Sequence, residues 1–184
     1  MFASKRLSKE LIKIQEHLPP GISLVKAENL EEWQMDIKVL DDNPLYRNET
    51  YRLKFTFSSK YPIEPPEVQF ITESQSNAQP QSSSQTQSQS QPQPQPTSTD
   101  PAEPSTKRPI PIHPHIYSNG IICLDLLGSA GWSPVQTVES VCMSIQSMLT
   151  ANSRNERPPG DKEFVSYNRR RPRDINFVYE DDNV

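Results

Sequence analysis

Residues His113–Pro134 read HPHIYSNGIICLDLLGSAGWSP, and the interpretation of the chain turns on this stretch. It carries Cys123, one of two cysteines, among turn residues and apolar residues, with Trp132-Ser133-Pro134 close behind. A cysteine without context is most often a small buried hydrophobe. In this setting Cys123 reads instead as a nucleophile that carries an acyl group, with the rest of the fold positioning it.

Directly downstream, Val138, Val141, Cys142, Ile145, Met148 and Leu149 recur at helical spacing and predict a strong helix from about Thr137 to Leu149. Cys142 falls on its apolar face, which assigns it to the core. Beyond that, Arg154 to Pro159 is a polar, proline-closed exit, and Phe164, Val165 and Tyr167 offer one more packing patch. Arg169, Arg170, Arg171 and Arg173 precede Phe177, Val178, Tyr179 and an acidic end, so residues 166–184 read as a weakly structured charged tail.

Upstream, residues 74–106 consist almost entirely of Gln, Ser, Pro and Thr, with no aromatic and no large aliphatic side chain. Such a segment cannot bury enough surface to offset its ordering entropy and reads as a disordered insert. A long loop of this kind adds little closure entropy. It interrupts one domain, 1–73 and 107–165, without splitting a periodic element.

Within the first part, Leu7, Leu11, Ile14 and Leu18 predict an amphipathic helix from Ser4, its N-cap, to about His17. Lys5, Lys9 and Lys13 form a basic stripe beside the apolar face; it is either a solvated face or a docking surface for an acidic partner. Pro19 and Pro20 stop the helix. A first strand follows around Ile22 and Leu24. Trp33, Met35, Ile37 and Val39 then alternate with polar residues as a half-buried strand. Asp41-Asp42-Asn43-Pro44 is a turn. Tyr51, Leu53, Phe55 and Phe57 make a third strand, and YPIEPPEVQF (61–70) closes in a short fourth one. The expected architecture is an antiparallel meander laid against the first helix.

Composition sets outer limits. A chain of 184 residues is one domain, or one domain with a tail. Its 33% hydrophobic content is low, and 19 prolines against 5 glycines is an unusual balance; both trace partly to the insert. A net charge of −4 gives no support to a polyanion-binding role, and the arginine cluster lacks an interleaved aromatic platform, so nucleic acid is not expected as a partner. No apolar run approaches the ~18 residues of a membrane span. Two cysteines without a secretory apolar run suggest a reducing compartment, cytoplasmic and/or nuclear. There is no Cys-x-x-Cys pair and no metal-ligand cluster.

Taken in order, these pieces resemble the ubiquitin-conjugating enzymes. The shared residues are the basic first helix, Tyr61-Pro62 with Pro65-Pro66, His113-Pro114, Asn119-Gly120, Ile122-Cys123-Leu124 and Trp132-Ser133-Pro134, followed by a helix. The His-Pro-His triplet, the Pro-Ile-Pro run before it and the aromatic–acidic tail look like the W-type branch, associated with transfer of ubiquitin to protein N-termini. The resemblance implies an α/β (α+β) fold of the UBC type: a four-stranded antiparallel meander flanked by the N-terminal helix and a central helix after the cysteine.

It further implies that Cys123 accepts ubiquitin as a thioester from an activating enzyme and passes it to a substrate amine, usually with a RING- or U-box-type ligase bound. Thiolate chemistry of this kind needs no metal or organic cofactor; ATP is used upstream by the activating enzyme. Two other readings share the fold: a non-catalytic ubiquitin-binding variant, against which the intact IICLDLL setting argues, and an enzyme for another ubiquitin-like modifier. Lys5, Arg6 and Lys9 match first-helix residues that meet the activating enzyme and ligases; Ile63 and Pro134 fall in the two ligase-contact loops. His113, Asn119 and Trp132 are expected to support the site structurally.

One departure matters. Most of the family has asparagine after His-Pro, a neutral amide placed to support the developing oxyanion; here it is His115. Loss of an oxyanion donor costs on the order of 10²–10³ in rate, so His115 itself, a backbone group or a more reactive nucleophile must compensate. An α-amine with pKa about 7.7–8.0 is roughly a quarter uncharged near pH 7.4, against about one lysine in a thousand. That difference fits substrates with free N-termini. Asp125 and Asp161 are the candidates for orienting the amine, Asp125 on the condition that the local chain is extended.

Overall fold

The computed structural model describes residues 2–72 and 108–175. The insert predicted at 74–106 and the end of the predicted tail, from residue 176, lie outside the described residues. Helix α1 spans Phe2–Glu16. It starts earlier than the Ser4 capping signal predicts, because Ala3, one turn before Leu7, continues the buried stripe of Leu7 and Ile14. Packing there outweighs the local cap. Pro19 and Pro20 follow where the helix stops.

Four strands follow: β1 (Ile22–Lys26), β2 (Glu32–Ile37), β3 (Tyr51–Thr56) and β4 (Glu67–Ile71). They pair antiparallel in the order β1-β2-β3-β4, the meander expected from the alternation. Strand β3 alternates buried and half-buried residues as predicted. Strand β2 does not: Gln34 and Asp36, on its polar face, are buried too. The cover comes from Arg52 and from Arg108, which pair with Asp36 at 2.9 and 3.2 Å. Arg108 belongs to the chain that returns after the insert, so local periodicity could not announce it.

Helix α2 (Val138–Ala151) begins in a capping box between Thr137 and Ser140. Val138, Val141, Cys142, Ile145 and Leu149 join Trp33, Met35, Ile37, Leu53, Phe55 and Phe70 in one core. Its C-terminal carbonyls are capped from a distance: Asn43 Nδ2 donates to Thr150 at 3.2 Å and to Asn152 at 2.8 Å. A short helix α3 (Asp161–Tyr167) and a 3₁₀ turn (Pro172–Asp174) complete the described chain. Residues 166–175, predicted as part of the tail, therefore begin inside α3. Arg173 reaches Glu67 at 3.1 Å and Glu64 at 3.6 Å. Among the described residues no cluster of His, Cys, Asp and Glu could hold a metal ion, and no helix is long and apolar enough to cross a membrane.

Candidate active site

The site is built on a tight turn pinned to the edge of the sheet. The Gly120 amide donates to the Tyr117 carbonyl at 2.8 Å, and the Tyr117 amide to the Ile121 carbonyl at 2.9 Å. Asn119 serves the turn twice: its Oδ1 accepts from the Ile121 amide at 3.2 Å, and its carbonyl accepts from Gln69 Nε2 at 2.8 Å. The Phe70 amide reaches the Gly120 carbonyl at 2.9 Å. Gly120 sits at φ +88°, where a Cβ would lie 2.0 Å from the Phe70 carbonyl oxygen, so neither the backbone angle nor the space admits a side chain. Cys123 leaves this turn half-buried, with its amide donating to the His115 carbonyl at 2.8 Å. Cys142 is fully buried, and burial pushes its thiol well above the ordinary range. The two cysteines thus occupy opposite environments.

The histidines that precede the turn divide their roles. His113 is buried, and its Nδ1 accepts from the His115 amide at 2.9 Å. Burial lowers its pKa to about 4; the neighbouring His115 adds to this, and a hydrogen bond to the Met148 backbone opposes it. His113 is therefore a neutral structural imidazole near pH 7. His115 has both backbone groups engaged, one with each neighbour, while its side chain stays exposed. The backbone carrying them is hung on further bonds. Arg157 donates to the carbonyls of Pro111 at 2.6 Å, Ile110 at 3.0 Å and Ile116 at 3.0 Å, and the Tyr46 hydroxyl to that of Ile112 at 2.7 Å. Neither Arg157 nor Tyr46 was legible as a support in the sequence.

Of the two candidate acids, the fold brings one to the turn. Asp161 opens α3 and its Oδ1 accepts from the Ser118 amide at 2.7 Å. Three residues on, Phe164 stacks on Tyr117 with ring centroids 3.9 Å apart. The Tyr117 phenol has a raised pKa, chiefly from burial, with the charges of Cys123 and Asp161 adding to it. Tyr117 is the site residue that sequence reasoning missed; its signal was an aromatic between a buried isoleucine and a Ser-Asn-Gly turn. Asp125 instead opens a 3₁₀ turn (Asp125–Leu127) with its side chain exposed. The extended chain on which its candidacy depended ends at Leu124.

The second layer ties α1 to two loops. Trp132 Nε1 donates to the Pro62 carbonyl at 2.7 Å. Beside it, the buried Tyr61 hydroxyl donates to Glu10 Oε1 at 2.7 Å, and the Val138 amide, at the head of α2, to Glu10 Oε2 at 2.9 Å. Arg6 pairs with Glu10 and donates to the carbonyls of Pro134 at 3.0 Å and Gln136 at 2.7 Å. Arg6 is thus a tie within the fold, whereas Lys5 and Lys9 are exposed. Ile63 is 76% and Val135 80% exposed, and Pro134 is exposed between the loops' anchors.

Comparison with known proteins gives one family. The family described as ubiquitin-conjugating enzyme matches residues 6–178. A probable ubiquitin-conjugating enzyme E2 W of Dictyostelium discoideum is 35% identical, over 98% of this chain and 97% of its own. A probable ubiquitin-conjugating enzyme E2 W-A of Danio rerio is 33% identical, over 97% and 95%. Among solved structures, a ubiquitin-conjugating enzyme from Agrocybe aegerita is similar with a TM-score of 0.70 at 35% identity, covering 93% of this chain and 98% of that one.

Proposed function

The chain belongs to the ubiquitin-conjugating enzymes, transferases that work through a thioester with ubiquitin, an activating enzyme and ligases; on that premise we propose that Cys123 carries the thioester and that the preferred acceptors are protein N-terminal α-amines. One observation carries the assignment of the sulfur. Cys123 stands half-exposed at the end of a turn fixed on both sides, while Cys142 is sealed in the core.

The reaction runs in two acyl transfers. The Cys123 thiolate attacks the thioester carbonyl presented by the activating enzyme, whose own thiolate leaves. An uncharged substrate amine then attacks the new thioester, the Cys123 thiolate leaves, and the amine's proton is lost to water or a nearby base. No bound cofactor is needed for either transfer. His115 is the candidate to donate to the developing oxyanion, its backbone held by His113 and Cys123 so that the exposed imidazole projects from a fixed point. Tyr117 and Asp161, which meet at the turn leading into Cys123, are the candidates to orient the amine. Asp125, exposed on the following turn, has a weaker claim. Lys5, Lys9, Ile63 and Pro134 supply exposed surface for the activating enzyme and for RING- or U-box-type ligases.

The preference for α-amines rests on the histidine at position 115 and on amine availability. Near pH 7.4 an α-amine offers the reactive form roughly two orders of magnitude more often than lysine. A site with a weaker oxyanion donor serves the first class and fails on the second.

Incubation with activating enzyme, ATP and ubiquitin, without reductant, tests the sulfur: a reducible adduct is expected that vanishes in Cys123→Ala and persists in Cys142→Ala. Discharge of the loaded enzyme onto lysine at rates equal to those with peptide α-amines would overturn the acceptor preference.

A further inference from the structure

The arginine cluster at 169–173 is divided by the fold. Arg173 faces Glu67 and Glu64, and Arg171 faces Asp174 at 3.0 Å. Arg169 and Arg170 are exposed and meet no carboxylate among the described residues; the Arg169 guanidinium donates only to the carbonyls of Ser166 and Asn168, each at 3.0 Å. These two cations line an open basin together with Phe164, Tyr167 and Ile175, and Tyr167 is 83% exposed.

Two contacts locate the basin beside the proposed nucleophile. Phe164 stacks on Tyr117, in the turn that leads into Cys123, with ring centroids 3.9 Å apart. The same helix sets Asp161 Oδ1 to accept from the Ser118 amide at 2.7 Å, one residue further along that turn. A peptide whose first amine reached Cys123 would lay its next few residues across this surface.

We infer that the basin bounded by Phe164, Tyr167, Arg169, Arg170 and Ile175 docks the segment following the reacting amine, and selects acceptors with acidic side chains there. The inference rests on Cys123 as the loaded residue. Phe164 and Tyr167 take the peptide's apolar parts, and the charges of Arg169 and Arg170 take its carboxylates. Exposed ion pairs are individually weak and salt-sensitive, so this surface biases acceptor choice rather than dictating it.

The test uses the full chain charged with ubiquitin, in single-turnover discharge onto synthetic peptides with a free α-amine. One peptide carries Asp or Glu at positions two to four, and its partner carries Asn or Gln there. The acidic peptide is expected to show about three- to tenfold higher kcat/KM, mainly through KM, as two exposed ion pairs imply. R169Q/R170Q removes that preference, R169K/R170K retains it, and ~0.5 M salt erases it by screening. No preference in the wild type, or one that survives R169Q/R170Q, overturns the inference. So does a preference that emerges only in E180Q/D181N/D182N, which assigns the basin to the chain's own acidic end. The charging step separates the two claims: an adduct that survives Cys123→Ala removes the underlying reading, whereas normal charging followed by indifferent discharge removes only this one.

Discussion

Replacing His113 tests whether a buried neutral imidazole holds the approach to Cys123. In the folded state its pKa lies at about 4, lowered first by burial, against about 6.5 in an unfolded chain. Between those values the unfolded chain binds a proton that the native state refuses, so acid favours unfolding. The stability due to the neutral ring is fully present above about pH 6.5 and is lost as pH falls toward 4, at up to about 1.4 kcal/mol per unit. The full loss is about 3 kcal/mol, a large share of a small domain's stability. In His113→Asn the amide Oδ1 still offers an acceptor to the His115 amide, but no group titrates. That variant gives up the bond to Met148 and some packing, about 1–2 kcal/mol at pH 7. Urea unfolding from pH 7.5 to 4 should therefore show the wild type more stable at neutral pH, with the two curves crossing between about pH 5 and 6. Parallel profiles over that range refute the claim that His113 is held neutral. Charging of Cys123 at pH 7 is expected to fall in the variant with the precision of the turn, and Cys142→Ala serves as the comparison.

Glu10→Ala leaves the Val138 amide, the Tyr61 hydroxyl and Arg6 without their shared acceptor; a loss of about 3–5 kcal/mol is expected in the unfolding free energy from urea titration, with Glu10→Gln costing less than half of it. A loss under about 1 kcal/mol for the alanine would show that the hub is not a determinant of stability. Gly120→Ala places a Cβ against the Phe70 carbonyl at a positive φ, so destabilisation on the order of 4 kcal/mol and failure to charge are expected; a near-native circular dichroism melt contradicts that. Trp132→Phe removes the bond to the Pro62 carbonyl, costing about 1 kcal/mol, and should lower ligase-stimulated discharge more than unstimulated discharge. Equal effects on both would dissociate the loop tie from ligase response.

Much of the fold was legible because its signals are local. Alternation at Tyr51–Phe57 and helical spacing at Val138–Leu149 report which side of an element meets the core, and both elements lie where those periods put them. The stretch around Cys123 was legible as a site because the turn residues, apolar residues and Trp-Ser-Pro are contiguous. Asp161 and Tyr117 are forty-four residues apart, and only the tertiary contacts, the stack of Phe164 on Tyr117 and the bond from the Ser118 amide to Asp161, bring them into one neighbourhood. Arg6, matched by the resemblance to a partner-contact position, also has a role within the fold that no local pattern announces: its guanidinium is held by two backbone carbonyls and a buried acid.

The four strands, the first helix and the helix after Pro134, and the choice of the chemically promising cysteine, could be read from the chain alone, because burial period and turn chemistry are written within a few residues of one another. Tertiary structure alone decided that β2 is covered on both faces, that Glu10 joins α1 to the head of α2, that Arg157 suspends the histidine segment, and that Asp161 rather than Asp125 meets the turn. Each of these is a charge or polar group satisfied by a partner far along the chain. Hydrogen-bond satisfaction is a three-dimensional requirement, and no periodicity in one dimension encodes where the partner will come from.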